Sequence, residues 1–160
     1  MKLLFVRHAK ALERLEWMGD DMLRPLTEEG IKKARRFFGC IAPVYRIEAI
    51  ATSKAVRAVQ TAKILQEFYP EARYIETPDL NPGASILAIE RTIARLEAFE
   101  CVALVGHEPD FSLAVAHLIG CEHADIRLKK AGIAELAGDG GFELRGLLYP
   151  KLFEGAKCSS

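Results

Sequence analysis

The stretch Leu3-Leu4-Phe5-Val6-Arg7-His8-Ala9 decides how this chain is read. An apolar run of strand length with no polar alternation is the pattern of a strand buried on both faces, as in a parallel sheet. The run stops abruptly at an arginine and a histidine. In an open α/β sheet, ligands bind outside the carboxyl ends of the strands. A guanidinium placed there offers an anion a rigid fork of donors. A neutral imidazole is a nucleophile near neutral pH. By itself the pair is equally the polar end of an ordinary strand, so its meaning rests on what else the chain brings to the same edge.

Outward from this run, strands and helices alternate. Arg24-Pro25-Leu26-Thr27 closes the following loop, and Thr27 reads as an N-cap with Glu28 and Glu29 in the first helical turn. Ile31, Ala34 and Phe38 carry the helical repeat, with Gly39 as the expected stop. Arg46 to Ala51 reads as a second strand. A helix expected from Ser53 places Ala55, Ala58, Val59, Ala62 and Leu65 on one face and ends at Tyr69-Pro70. Residues 73–76 form a third strand, and 77–84 a loop rich in Pro, Gly and Asn. Ser85 opens an amphipathic helix through Ile86, Ile89, Ile93 and Leu96. Cys101 to Val105 is a strongly apolar strand, followed by Gly106-His107-Glu108-Pro109 and a helix that stops at Gly120. Ile133–Leu136 and Phe142–Leu148 read as a hairpin around Gly138-Asp139-Gly140-Gly141.

This alternation predicts an α/β fold, a three-layer sandwich with a mostly parallel central sheet. Leu3–Val6 and Val102–Val105 are expected as neighbouring central strands. With no repeat or linker, residues 1–153 are expected to form one domain and residues 154–160 a flexible C-terminal tail.

Composition narrows the function classes. Half of the 160 residues are hydrophobic, and 22 basic residues balance 22 acidic ones. That argues against a disordered chain. It also argues against nucleic acid or a membrane surface as partner, while leaving room for a local cationic pocket. The N-terminal apolar stretch is too short for a signal peptide, so a cytoplasmic setting is expected. Cys40, Cys101, Cys121 and Cys158 are scattered without a CxxC pair and read as reduced thiols, Cys101 within a strand. His117, Cys121 and His123 fit no closed zinc pattern. Lys129 and Lys130 read as a solvated pair.

Three strand-to-helix junctions carry basic groups. The first holds Arg7 and His8, the second Arg57 within Ser53–Ala62, the third His107. In a parallel sheet these junctions share one edge, and helix N-termini there add donors for a phosphate. Arg7-His8-Ala9, then Arg24-Pro25-Leu26-Thr27-Glu28-Glu29-Gly30, then Ser53–Ala62 with Arg57, then Gly106-His107 resembles the histidine phosphatase superfamily. The order spans residues 1–120, and Ala9 departs from the usual glycine of the first motif. The short chain and the Arg-Pro-Leu-Thr motif resemble the small bacterial protein phosphohistidine phosphatases.

The resemblance implies a phosphoglycerate-mutase-like fold without large insertions and a phosphatase that needs no metal or cofactor. It implies His8 as nucleophile, giving a phosphohistidine intermediate, and Arg7, Arg57 and His107 as a clamp on the phosphoryl oxygens. Arg24 is a candidate substrate-binding residue. The proton donor stays open between Glu108 and Asp79, because the loop where larger members carry a carboxylate reads Thr77-Pro78-Asp79-Leu80-Asn81 here. The implied partner is a phosphohistidine-bearing protein; the alternative is a small phosphorylated metabolite, acted on by a phosphatase or, less readily, a mutase. A non-catalytic phosphate-binding module is the third reading, opposed by the intact Arg7, His8, Arg57 and His107.

Overall fold

The computed structural model describes residues 1–158. Six strands form one sheet: β1 (Lys2–Arg7), β2 (Ala49–Thr52), β3 (Arg73–Glu76), β4 (Cys101–Gly106), β5 (Ile133–Ala137) and β6 (Glu143–Leu148). Their order is β3-β2-β4-β1-β5-β6. The first four run parallel, whereas β5 is antiparallel to β1 and β6 to β5. The two apolar runs are thus adjacent at the centre, as their continuous hydrophobicity predicts.

Alternation along β1 splits the core in two. Leu4 and Val6 join one cluster with Phe37, Phe38, Ala58, Ala62 and Leu65. Those partners belong to α1 (Glu28–Ile41) and α2 (Val56–Gln66). Leu3 and Phe5 face the other cluster, with Ile89, Ile93, Phe111 and Val115 from α3 (Ile86–Arg95) and α4 (Asp110–Leu118). The period of two along the strand therefore produces the three layers.

This layering locates the site. The chain leaves β1 toward α1 on one face and leaves β4 toward α4 on the other. Two neighbouring parallel strands whose connections part to opposite faces open a crevice at their carboxyl ends. The register pairs Arg7 with Gly106, so His8 and His107 follow side by side.

The loop after β1 is held by the next motif. Thr27 N–H donates to the Lys10 carbonyl at 2.9 Å, and Leu12 N–H to the Pro25 carbonyl at 3.0 Å. Thr27 Oγ1 accepts from Gly30 N–H at 2.9 Å, the expected N-cap. A Cβ on Gly30 would lie 2.2 Å from the Lys10 carbonyl oxygen, which accounts for the glycine.

Three sequence expectations are corrected. α1 continues past Gly39 to Ile41, because Gly39 is a buried helical position and not a left-handed cap. α2 starts at Val56 rather than Ser53, whose backbone and side chain serve the site instead. Cys40 and Cys158 form a disulfide, with Cα atoms 4.6 Å apart, rather than remaining free thiols. A short 3-10 turn over Pro150–Phe153 carries the chain back across α1, where Phe153 meets Phe37 at a ring-centroid distance of 5.3 Å. Ala156 then accepts from Arg36. Ser159 and Ser160, part of the expected flexible tail, lie outside the described residues.

The Gly30 contact is with backbone, which cannot rotate aside. Gly30→Ala should lower stability by about 1–3 kcal/mol, the cost of forcing extra volume into a packed site. Urea denaturation of the two chains checks this, and an unchanged midpoint would show that the loop relaxes freely.

Candidate active site

His8 follows β1, and its backbone N–H donates to the Gly106 carbonyl at 3.0 Å. That bond extends the parallel ladder by one step and fixes where the imidazole starts. The ring's Nδ1 lies 2.7 Å from the Ala9 carbonyl oxygen. A carbonyl only accepts, so Nδ1 carries the proton and Nε2 the lone pair. Ala9 is held in turn, its N–H donating to Thr61 Oγ1 at 3.0 Å while that hydroxyl donates to the Arg57 carbonyl. Ala9 has no positive φ, so the departure from glycine carries no backbone strain.

His107 follows β4, its ring centroid 5.3 Å from that of His8. Its Nε2 lies 2.9 Å from Ser53 Oγ. The direction of this bond follows from its neighbours. Lys54 N–H donates to Asn81 Oδ1 at 2.9 Å, which fixes the amide oxygen toward Ser53. Ser53 O–H donates to that oxygen at 3.2 Å, leaving Ser53 Oγ as acceptor for Ala55 N–H and for His107 Nε2–H. His107 Nδ1 is then the lone-pair nitrogen, and it is buried without a partner.

Three guanidiniums complete the cavity, which measures about 420 Å³. Arg7 donates through Nη1 to the Leu128 carbonyl at 3.0 Å. Arg57 is 2% exposed at the start of α2 and donates to the Asp21 carbonyl at 2.7 Å and to Asp21 Oδ2 at 3.1 Å. Arg24 donates to Asp21 Oδ1 at 2.9 Å and to the Leu12 carbonyl at 2.6 Å. One carboxylate thus orients two arginines. Burial pushes its acidity toward the neutral form, but Arg24, Arg57 and Arg14 together prevail and keep Asp21 ionised. The Nε atoms of Arg7 and Arg57 remain buried without partners.

All four expected catalytic residues, together with Arg24 and Glu108, line this one cavity. Asp79 does not. Arg91 takes its carboxylate in a two-pronged pair and Arg95 approaches at 3.4 Å, so this candidate donor is committed elsewhere. The Glu108 carboxylate accepts from Ser112 N–H at 3.0 Å and from Ser112 Oγ–H. Sequence reasoning missed Asp21 and Ser53, and treated Asn81 only as a missing acid. The available signal for Asp21 was an acid three residues before Arg24.

Burial drives the protonation of both histidines. Desolvation, partly offset by the Ala9 bond and reinforced by Arg57, Arg7 and Arg24, lowers the His8 pKa to about 3. Desolvation followed by His8 and Arg57 lowers that of His107 to about 3. Both rings are neutral near pH 7. The site therefore offers a nucleophilic nitrogen beside a shell of arginines with unfilled donors, an arrangement suited to a tetrahedral oxyanion.

The profile of the histidine phosphatase superfamily, branch 1, matches residues 3–81. A crystal structure from Agrobacterium tumefaciens named for the phosphohistidine phosphatase SixA superposes with a TM-score of 0.81 at 26% identity, covering 93% of this chain and 97% of that one. The protein histidine phosphatase SixA complexed with tungstate gives 0.81 at 23%, covering 96% and 99%. The α-ribazole phosphatase from Shigella flexneri gives 0.74 at 18%, covering 94% and 97%. No curated protein matches in sequence. Residues 3–81 are thus similar to the histidine phosphatase superfamily and the whole fold to its SixA-named neighbours, which together support a phosphatase.

Two outcomes follow from the neutral histidines. In the folded state both rings refuse a proton that the unfolded chain accepts below pH 6.5. Their contribution to stability is complete above pH 6.5 and is lost as pH falls toward about 3. Urea unfolding at about pH 7.5 and about pH 5 should show this loss, and His107→Gln should lose less between the same two values. Second, a dianion bound in the cavity that His107 lines favours protonation of the ring, whose Nδ1 holds the lone pair. Tungstate binding near neutral pH should take up about one proton per site, measured by calorimetry in buffers of different ionisation enthalpy. His107→Asn should abolish the uptake; uptake that persists would place the proton on another group.

Proposed function

We propose that this chain hydrolyses phosphohistidine in a protein through a covalent phosphohistidine on His8. The neutral His8 ring, with Nδ1–H bonded to the Ala9 carbonyl and Nε2 left as lone pair, carries this reading. Nε2 attacks phosphorus, and the bond from phosphorus to the leaving nitrogen breaks. The departing imidazole keeps the electron pair. Arg7, Arg57 and His107 bind the phosphoryl oxygens as charge shifts among them, with Arg24 alongside. Water then attacks phosphorus, the P–N bond to His8 breaks, and inorganic phosphate leaves. The arginines supply the electrostatic stabilisation, so no metal enters these steps.

The choice of a phosphohistidine substrate rests on the leaving group. A protonated imidazole departs readily, whereas an alkoxide needs a proton from a placed acid. Here Asn81 serves Ser53, Asp79 serves Arg91, and Glu108 already accepts two hydrogen bonds. Among the described residues no lid covers the mouth either: Leu15, on the loop that lines it, is 97% exposed. A bulky substrate can reach His8.

A phosphohistidine peptide should exceed sugar phosphates and α-ribazole phosphate in kcat/KM by tenfold or more, about 1.4 kcal/mol of transition-state binding. Radiolabelled phosphate should be trapped on the wild-type chain as an acid-labile adduct. His8→Ala should lose the adduct and lower turnover by roughly 10³-fold or more, the scale expected for removing a covalent nucleophile. EDTA should change neither. A metabolite ester that wins by tenfold would replace this reading with the small-molecule one.

A further inference from the structure

The turn after Leu128 is fastened to the reacting strand. Arg7 N–H donates to the Gly132 carbonyl at 3.0 Å, and Ala131 N–H donates to the His8 carbonyl at 3.2 Å. Arg7 Nη1 reaches back to the Leu128 carbonyl. Ala131 holds φ at 59°, a left-handed conformation that alanine rarely adopts, and the turn closes with Gly132 N–H on the Lys129 carbonyl at 2.7 Å. This fixed turn sets Lys129 and Lys130 at the rim of the site.

Beyond Arg7 lies a second cavity of about 480 Å³. Arg7 and Lys130 line both cavities, so the two share a wall. Lys10, Lys33, Lys129 and Lys151 line the second, with Glu154 as its carboxylate. Lys10 and Lys33 are engaged by Glu29 at 2.8 and 2.9 Å. Lys129, Lys130 and Lys151 have no carboxylate within ion-pair distance among the described residues. The topology explains the gathering. β1 and β6 both end at this edge, and β5 begins there, so Lys10, Lys129, Lys130 and Lys151 converge from three connections.

In a chain of zero net charge, three uncompensated lysines around one trough form a local positive field beside the phosphate pocket. We propose that this trough receives carboxylate side chains flanking the phosphorylated residue, so that the preferred substrate is a phosphohistidine set in an acidic protein surface. The inference rests on the protein-phosphatase reading above and names the surface that reading leaves open. Because the trough shares Lys130 and Arg7 with the reacting site, its occupant and the substrate are the same molecule. The lysines are solvent-exposed, so each pair adds little alone and is screened by salt. Their joint effect falls on encounter and binding rather than on the chemical step.

The test compares two phosphohistidine peptides identical except for Asp and Glu against Asn and Gln in the flanks, with phosphoramidate as a small P–N donor. The wild-type chain at low salt should favour the acidic peptide by roughly tenfold in kcat/KM, mainly through KM, and added salt should erase the difference. Lys129→Gln with Lys151→Gln should remove most of the preference while leaving phosphoramidate turnover at the wild-type rate. Lys129→Glu with Lys151→Glu should shift preference to a peptide with Lys and Arg flanks. Equal kcat/KM for the acidic and neutral peptides, or a preference that both variants retain, overturns the trough as a binding surface. Inhibition by a short single-stranded RNA as strong as that by the acidic peptide also overturns it, in favour of a nucleic-acid surface. Failure of the wild-type chain to turn over phosphoramidate or either peptide overturns the underlying phosphohistidine reading instead.

Discussion

The parallel pairing of β1 with β4 is the constraint on which the site depends. With Arg7 opposite Gly106, the next residue on each strand is a histidine, and the His8 N–H bond to Gly106 carries the ladder one step further. Both rings therefore start from backbone that the sheet holds fixed. The same pairing buries both rings beneath the loops that leave the two strands. Desolvation then keeps both neutral, which a nucleophile requires. A slip of one register step would separate the rings by a residue and turn β1's side chains to the wrong faces.

Gathering three arginines in one cavity, Arg24 and Arg57 buried and Arg7 half-buried, opposes folding unless the charges are answered. Asp21 answers Arg24 and Arg57 together, and the Leu128 carbonyl takes Arg7. The answer is incomplete. Arg7 Nε, Arg57 Nε and His107 Nδ1 remain buried without partners. Each unsatisfied polar group costs on the order of 1–3 kcal/mol. Donors already oriented by the fold stabilise developing charge better than water does, and that is the use the proposed chemistry would make of the arginines. The strained Ala131 turn belongs to the same economy: it holds the backbone behind His8 fixed.

Much of this was legible in the sequence because it is local. Continuous apolar runs marked β1 and β4, Thr27 announced its helix, and four basic residues stood at three strand ends. What stayed hidden depends on groups brought together from afar. Asp21 binds Arg57 across 36 residues, and the Cys40–Cys158 disulfide spans 118. Ser53 reads as an ordinary helix start, yet its hydroxyl is taken by His107 and Asn81, and α2 begins three residues later. The lysine pair at 129 and 130 reads as solvated until Lys151 and Lys10 are seen beside it.

Asn81 links the loop after β3 to the tautomer of His107. At this loop a carboxylate could supply a proton to a leaving group; an amide cannot. The amide oxygen instead accepts from Lys54 N–H and Ser53 O–H, and so turns Ser53 Oγ into an acceptor for His107 Nε2–H. The consequence reaches the far nitrogen, leaving a lone pair on His107 Nδ1. The loop has exchanged acid catalysis for control of a tautomer. That exchange suits leaving groups that depart without strong protonation. It also leaves His107 with a nitrogen that can take up a proton beside a bound dianion.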